Sequence, residues 1–552
     1  MRGYYSIGRW LAIGMLTALF AAAPSHASTE QEMIIQEDPL LLSAQDQAEV
    51  DAVFMAFKAV GIDRVRVSLF WDHVAPERLS QSKPDFPEPG PSDPAAYPAG
   101  TWTRYDRIML ASRRIGVDVL MTLTGPGPAW ATPGTRCKKA GPFVGCEEGV
   151  YKPDAREFQD FATAAGTRYS GSYQLEPDAP AGHGESPIVL PRVDHWSIWN
   201  EPNFPAWLLP MWRANSPRTP KQMVAVAPHH YRGLVDAAYA GLDATGHGDD
   251  TVLIGETAPR GEKNPKQLGK AMPPAEFVRE LYCLTAAYRP YTGRAARLRG
   301  CPVTAAERDE FVDEHSGLFR SQGWAQHAYS VFKKRWRTPT WRHELRDNVP
   351  IGNIDHLIRT LDRVTGVWDS LEFRKGIWIT EYGYQTTPPD PTAGVDLERQ
   401  GPLSSWGEFV AYNNPRVASI AQFLLFDDKP LAELAEDDPR RWVTWQSGLY
   451  TADGEAKPYL DDFRWPLHVA RRGAGMRVFA TSRPAPTGSP LTARIEFAPP
   501  GGPWTRLRTV RVTNPRGYLD ASVRPPGRGQ IRVVWEQPGS EGSVASRSAN
   551  AR

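Results

Sequence analysis

Eight short, almost continuously apolar runs, separated by longer stretches, restrict this chain more than any other pattern in it. They cover residues 33–36, 65–70, 117–123, 195–200, 252–255, 324–329, 377–381 and 419–426. Runs of that length, apolar on both sides, suit parallel strands covered by helices on each face. Helical periodicity fills several of the gaps. It covers 48–60 and stops at Gly61, covers 105–115 and stops at Gly116, and covers 154–169 behind the capping residue Asp154. A glycine directly between a helix and the next strand is the usual stop signal. Alternating strands and helices predict a parallel sheet, and eight of them predict a closed (β/α)8 TIM barrel of the α/β class. No glycine-rich dinucleotide fingerprint follows the early strands, which argues against an open doubly wound sheet.

The chain has 552 residues, enough for one large barrel and a small companion. We read 1–27 as a signal peptide, 28–465 as the barrel, 466–538 as a small antiparallel β-sandwich and 539–552 as a disordered Ser/Gly/Ala-rich tail. The leader has Arg2 and Arg9, an apolar stretch over 10–23, and Ser25-His26-Ala27 before the cut. An uncleaved anchor is the competing reading, but the apolar run falls short of the ~20 residues a span needs. Export, to the periplasm or beyond, is therefore expected. Four cysteines agree with it, as two local disulfides, Cys137 with Cys146 and Cys283 with Cys301. Neither spacing is a C-x-x-C, so no metal is expected. With 64 Lys+Arg against 63 Asp+Glu, the net charge of +1 points to no nucleic-acid or anionic-membrane partner. The C-terminal region shows no compact aromatic platform beyond Trp504 and Trp535, so that unit is expected to pack on the barrel.

Chemistry is sought where the strands end, because barrel sites form on that face. Strand four ends in Trp199-Asn200-Glu201-Pro202-Asn203, and strand seven in Trp378-Ile379-Thr380-Glu381-Tyr382-Gly383. Two carboxylates thus reach one rim from opposite sides. Such a pair can protonate a leaving oxygen while attacking an anomeric carbon or activating water. A gap of roughly 5–5.5 Å implies retention and ~6.5–9.5 Å inversion.

These two motifs together resemble glycoside hydrolase clan A, with families 39 and 5 and bacterial exopolysaccharide hydrolases most similar in look. The resemblance spans about residues 30–465. It implies Glu201 as acid/base and Glu381 as nucleophile in a double displacement, with no cofactor. It implies further that Asn200 binds the sugar 2-hydroxyl, that Arg66 keeps the nucleophile ionised, that Tyr329 donates to Glu381, and that His327 lines the sugar subsite. Trp71, one residue past strand two, is placed as a rim aromatic. Each assignment has a plainer alternative: Glu201 and Glu381 as exposed loop carboxylates, Arg66 as a structural ion-pair arginine, His327 as a core histidine. Glu256 closes strand five on the same rim without an assigned substrate contact, and Asp427 and Asp428 after strand eight either bind a sugar hydroxyl or are simply solvated. The chain departs from the clan at the end of strand three, which has Thr124-Gly125-Pro126-Gly127 instead of a histidine. It departs again at the end of strand eight, which has Phe426-Asp427-Asp428 instead of a tryptophan. The expected partner is a carbohydrate and the expected state a monomer. A transglycosylase and a non-catalytic carbohydrate-binding barrel are the rival readings.

Overall fold

The computed structural model describes residues 28–133, 149–175, 188–216, 223–263, 269–332, 335–370, 375–391, 393–435, 437–485, 489–536 and 542–551. The expected leader and the Cys137/Cys146 pair lie outside them. Among the described residues no helix is long and apolar enough to cross a membrane.

Eight parallel strands close into one barrel. They are β1 (Glu32–Gln36), β2 (Arg64–Phe70), β3 (Asp118–Thr124), β4 (His195–Ile198), β5 (Thr251–Thr257), β6 (Gly323–His327), β7 (Gly376–Glu381) and β8 (Val417–Phe423). Sequential strands are neighbours throughout, and β1 pairs with both β2 and β8. Every strand expected from an apolar run is present. Around the barrel run α1 (Gln47–Ala59), α2 (Thr103–Ile115), α3 (Ala155–Arg168), α4 (Ala227–Ala244), α5 (Ile354–Val367) and α6 (Leu397–Tyr412). Local chemistry sets where two of them begin. The Asp46 side chain accepts from Glu49 N–H, and Asp154 accepts from the N–H groups of Arg156 and Glu157, satisfying donors a helix start would otherwise leave unpaired.

Alternation divides each strand between helix layer and lumen. In β2, Val65, Val67 and Leu69 join the outer hydrophobic core, while Arg64, Arg66 and Ser68 turn the other way. At the base of the barrel Arg64 pairs with Glu32 at 2.9 Å and Asp118 at 3.5 Å. Above it Leu120, Leu253, Ala325 and Trp378 form a small separate cluster. The lumen is therefore a packed core with polar layers at its ends, and the layer at the strand C-termini carries the site.

After the barrel come β9 (Leu467–Arg472), β10 (Gly475–Thr481), β11 (Leu491–Ala498), β12 (Thr505–Val512), β13 (Tyr518–Val523) and β14 (Gly529–Glu536), then β15 (Ser543–Ala545) and β16 (Ala549–Ala551). The order β9-β10-β13 makes one antiparallel sheet. The order β12-β11-β14 makes the other, with β15 and β16 both on β14. One core, including Val478, Leu519, Ile495 and Val533, draws on both sheets, as in a sandwich. The expected disorder of the tail is corrected here. Ala545 pairs with Val534 and Asn550 with Gln530. Small polar side chains predict little, because backbone groups alone supply these bonds. Against the barrel, Phe479 and Tyr518 pack on Tyr412 and Phe409 of α6, and buried Arg483 pairs with buried Glu408. Trp535 lies in the sandwich core and Trp504 lies under the Arg532 guanidinium.

Candidate active site

Glu381 ends β7, and its side chain is nearly buried at the mouth of the barrel. Glu201 stands just beyond β4 on an unusual turn. Trp199 and Glu201 both have left-handed backbone, with φ of 65° and 38°, a conformation that costs energy for residues with side chains and persists where neighbours enforce it. The enforcement is visible. Glu201 N–H donates to the Glu256 carbonyl at 2.9 Å. The Asn203 amide accepts from Ala258 N–H at 2.8 Å and donates to the Ala258 and Met272 carbonyls. The Trp199 indole, turned outward from this kink, donates to the Trp207 carbonyl and fills the space above Gly125, where a Cβ would lie 2.6 Å from its ring. That explains why the residue directly after strand three carries no side chain.

The two acids converge on one imidazole. His327 Nδ1 is 2.8 Å from Glu201 Oε1 and 3.3 Å from Glu381 Oε2, while its Nε2 is 2.9 Å from Glu256 Oε2. A Glu201 oxygen, a Glu381 oxygen and a His327 nitrogen all lie within 4.8 Å of one another. With carboxylates at both nitrogens, the ring is favourable only with both protonated. Burial works against that charge, but Glu381, Glu201 and Glu256 outweigh it and push the imidazole up to about 9. The three side chains thus form one hydrogen-bonded cluster around the ring. The second trio of that kind, His229 with Cys283 and Cys301, has its sulfurs joined in a disulfide.

Arg66 supplies the second cation. It is fully buried, donates from Nη1 to Glu381 Oε1 at 2.9 Å and from Nε to Glu256 Oε1 at 3.2 Å, and bonds Gln36. Its Nη2 donates to Asn200 Oδ1 at 2.8 Å, leaving the Asn200 NH2 to point elsewhere. The Tyr329 hydroxyl donates to Glu381 Oε2 at 3.1 Å. Burial pushes the Glu381 carboxyl above the usual range. His327 and Arg66 pull it down, while Glu201 and Glu256 add to the rise. Burial also acts against the charge on Glu256, but Arg66, His327 and Ser197 hold it at about 2.

Six of the seven residues singled out in the sequence therefore meet: Glu201, Glu381, Asn200, Arg66, His327 and Tyr329. Trp71 does not. Its side chain is 1 % exposed and packs on Phe161, Phe158 and Trp130, because the short helix that follows β2 turns it into the core and away from the mouth. Three contributors were not foreseen. Ser197 and Thr380 both donate to Glu256, and each is a polar residue inside an apolar run, which is the available signal. Trp445, in the loop after β8, stacks on Tyr329 with centroids 4.8 Å apart and meets Phe423 edge-on. It puts an indole beside the mouth where the end of strand eight lacks one.

No protein-family model and no curated protein matches the chain. Among solved structures it is similar to an endo-β-1,4-mannanase of Thermotoga petrophila, at 10 % identity over 96 % of this chain and 99 % of that one, with a TM-score of 0.39. A family 1 β-glucosidase of Thermotoga maritima gives 12 % identity over 79 % and 97 %, with a TM-score of 0.41. The virulence factor SghA of Agrobacterium tumefaciens gives 14 % over 79 % and 96 %, also at 0.41. The closed eight-strand order described above, rather than these distant overlays, defines the fold.

Proposed function

We propose that this chain is an exported retaining glycoside hydrolase that cleaves O-glycosidic bonds of an oligo- or polysaccharide. The reading rests on one observation: oxygens of Glu201 and Glu381 stand within 4.8 Å of each other at the barrel mouth. That separation favours direct attack by a carboxylate over an inverting geometry, which needs a water between the acids. Charge bookkeeping supports it too. Three carboxylates face two buried cations, Arg66 and His327, so one proton on the acid pair makes the cluster neutral. Two neighbouring carboxyls that repel one another keep such a proton readily.

In the reactive form the shared proton sits on Glu201, and Glu381, whose ionised form His327 and Arg66 favour against its burial, forms a bond to the anomeric carbon. The glycosidic C–O bond breaks, and the leaving oxygen takes the proton of Glu201. Water then gives a proton to Glu201 and its oxygen to the anomeric carbon, releasing Glu381. Asn200, its oxygen engaged by Arg66, presents NH2 to the sugar. Export rests on the leader-like residues 1–27 and on the Cys283–Cys301 disulfide, which suits an oxidising compartment. A panel of aryl glycosides and cell-wall polysaccharides identifies the sugar, and NMR of the first-formed anomer tests the mechanism. Retained configuration is expected. Inversion, or full activity in Glu381→Gln, would overturn it.

A further inference from the structure

Glu256 is the one carboxylate of the cluster that no substrate can reach. Its side chain is fully buried, and every neighbour facing it is accounted for: Arg66 from β2, Ser197 from β4, His327 from β6 and Thr380 from β7. The other charged or titratable groups around this hub are Glu201, Glu381, Tyr329, Tyr231 behind β5, and Asp38 beyond Arg66. Its placement depends on a kink at the end of β5. Gly255 has φ 106° and lies over the Trp324 ring, where a Cβ would come within 2.5 Å, and Glu256 follows with φ 43°.

From this arrangement we infer that Glu256 is a positioning residue for the reaction proposed above. It holds the acid/base by its carbonyl, orients Arg66 and His327 by its carboxylate, and keeps the His327 ring doubly protonated toward the reacting acids. The first link is the bond from Glu201 N–H to the Glu256 carbonyl at 2.9 Å. The second is the pair of bonds from Arg66 Nε and His327 Nε2, whose opposite ends meet Glu381 and Glu201. The third follows from charge. A carboxylate at Nε2 can only accept, so the ring keeps its proton there, and the negative charge of Glu256 favours a second proton at Nδ1. An amide in its place could donate to Nε2 and let the ring become neutral.

Glu256→Gln in the full-length protein tests this, since it preserves volume and the backbone bond. In 15N-histidine spectra, wild-type His327 is expected to stay doubly protonated up to about pH 9. In the variant its midpoint is expected to fall by at least ~1 pH unit. The pH–rate profile should move toward acid, with kcat lowered and KM little changed. A folded variant with unaltered His327 titration overturns the inference. So does a uniform loss of rate with an unmoved profile, which a merely structural role would give. Should that variant not fold, Ser197→Ala and Thr380→Val each remove one donor to Glu256. Both are then expected to move the His327 midpoint, and an unmoved midpoint in both overturns the inference. The spectra need no turnover, so failure of the glycosidase reading leaves this arm intact.

Discussion

The Tyr329 phenol is tied to Glu381 from one side and stacked on Trp445 from the other, so the orientation of the Glu381 carboxylate depends on an aromatic pair drawn from β6 and the loop after β8. Tyr329→Phe removes the donor and keeps the stack. A hydrogen bond to a charged group is worth roughly 1.5–3 kcal/mol, so kcat should fall about 10- to 100-fold. Unchanged kcat in a variant with wild-type thermal stability would contradict the proposed nucleophile. Trp445→Ala should instead raise KM more than it lowers kcat, read from Michaelis curves on one glycoside.

Glu201 should show itself through the leaving group. In Glu201→Ala, turnover of a substrate with a poor leaving group should fall ~10²- to 10⁴-fold. An aryl glycoside with an acidic phenol should lose far less in its first step. Parallel losses on both would mean that Glu201 donates no proton to the departing oxygen.

Trp71 offers a contrasting test. Its large buried ring packs among Phe158, Phe161 and Trp130. Trp71→Ala is expected to cost about 3–5 kcal/mol of stability, measured by denaturant unfolding. The folded fraction should keep its KM, whereas a rim platform would lose it.

Stability should respond to pH at both ends. The imidazole of His327 is raised from 6.5 to about 9, so its contribution is full below pH 6.5 and is lost as pH rises through 9. Glu256 is lowered from 4.5 to about 2, so its contribution is full above pH 4.5 and is lost as pH falls through 2. Melting temperatures across pH should decline on both flanks. The alkaline decline should flatten in His327→Gln, and its persistence there would assign it to another group.

The strands were readable because a strand covered on both faces needs unbroken apolar runs, and few other elements do. The acids were readable because Glu201 and Glu381 sit where two such runs stop. What could not be read were relationships without a periodic signature. Trp71 and Trp445 are alike as letters, but a single helical turn buries the first, and a long loop carries the second to Tyr329. Glu256 looked like a rim acid because the backbone kink that turns it inward depends on Trp324 lying beneath Gly255. The pairing of β15 and β16 was invisible for a similar reason: it uses main-chain groups that every residue has.

That last pairing has a practical consequence. Because β15 and β16 occupy the outer side of β14, a protein shortened before Ser543 would present Gly529 to Glu536 as an open rail of amide and carbonyl groups over an apolar core. Foreign strands add readily to such rails, so trimming these small, unassuming residues is expected to make the protein self-associate.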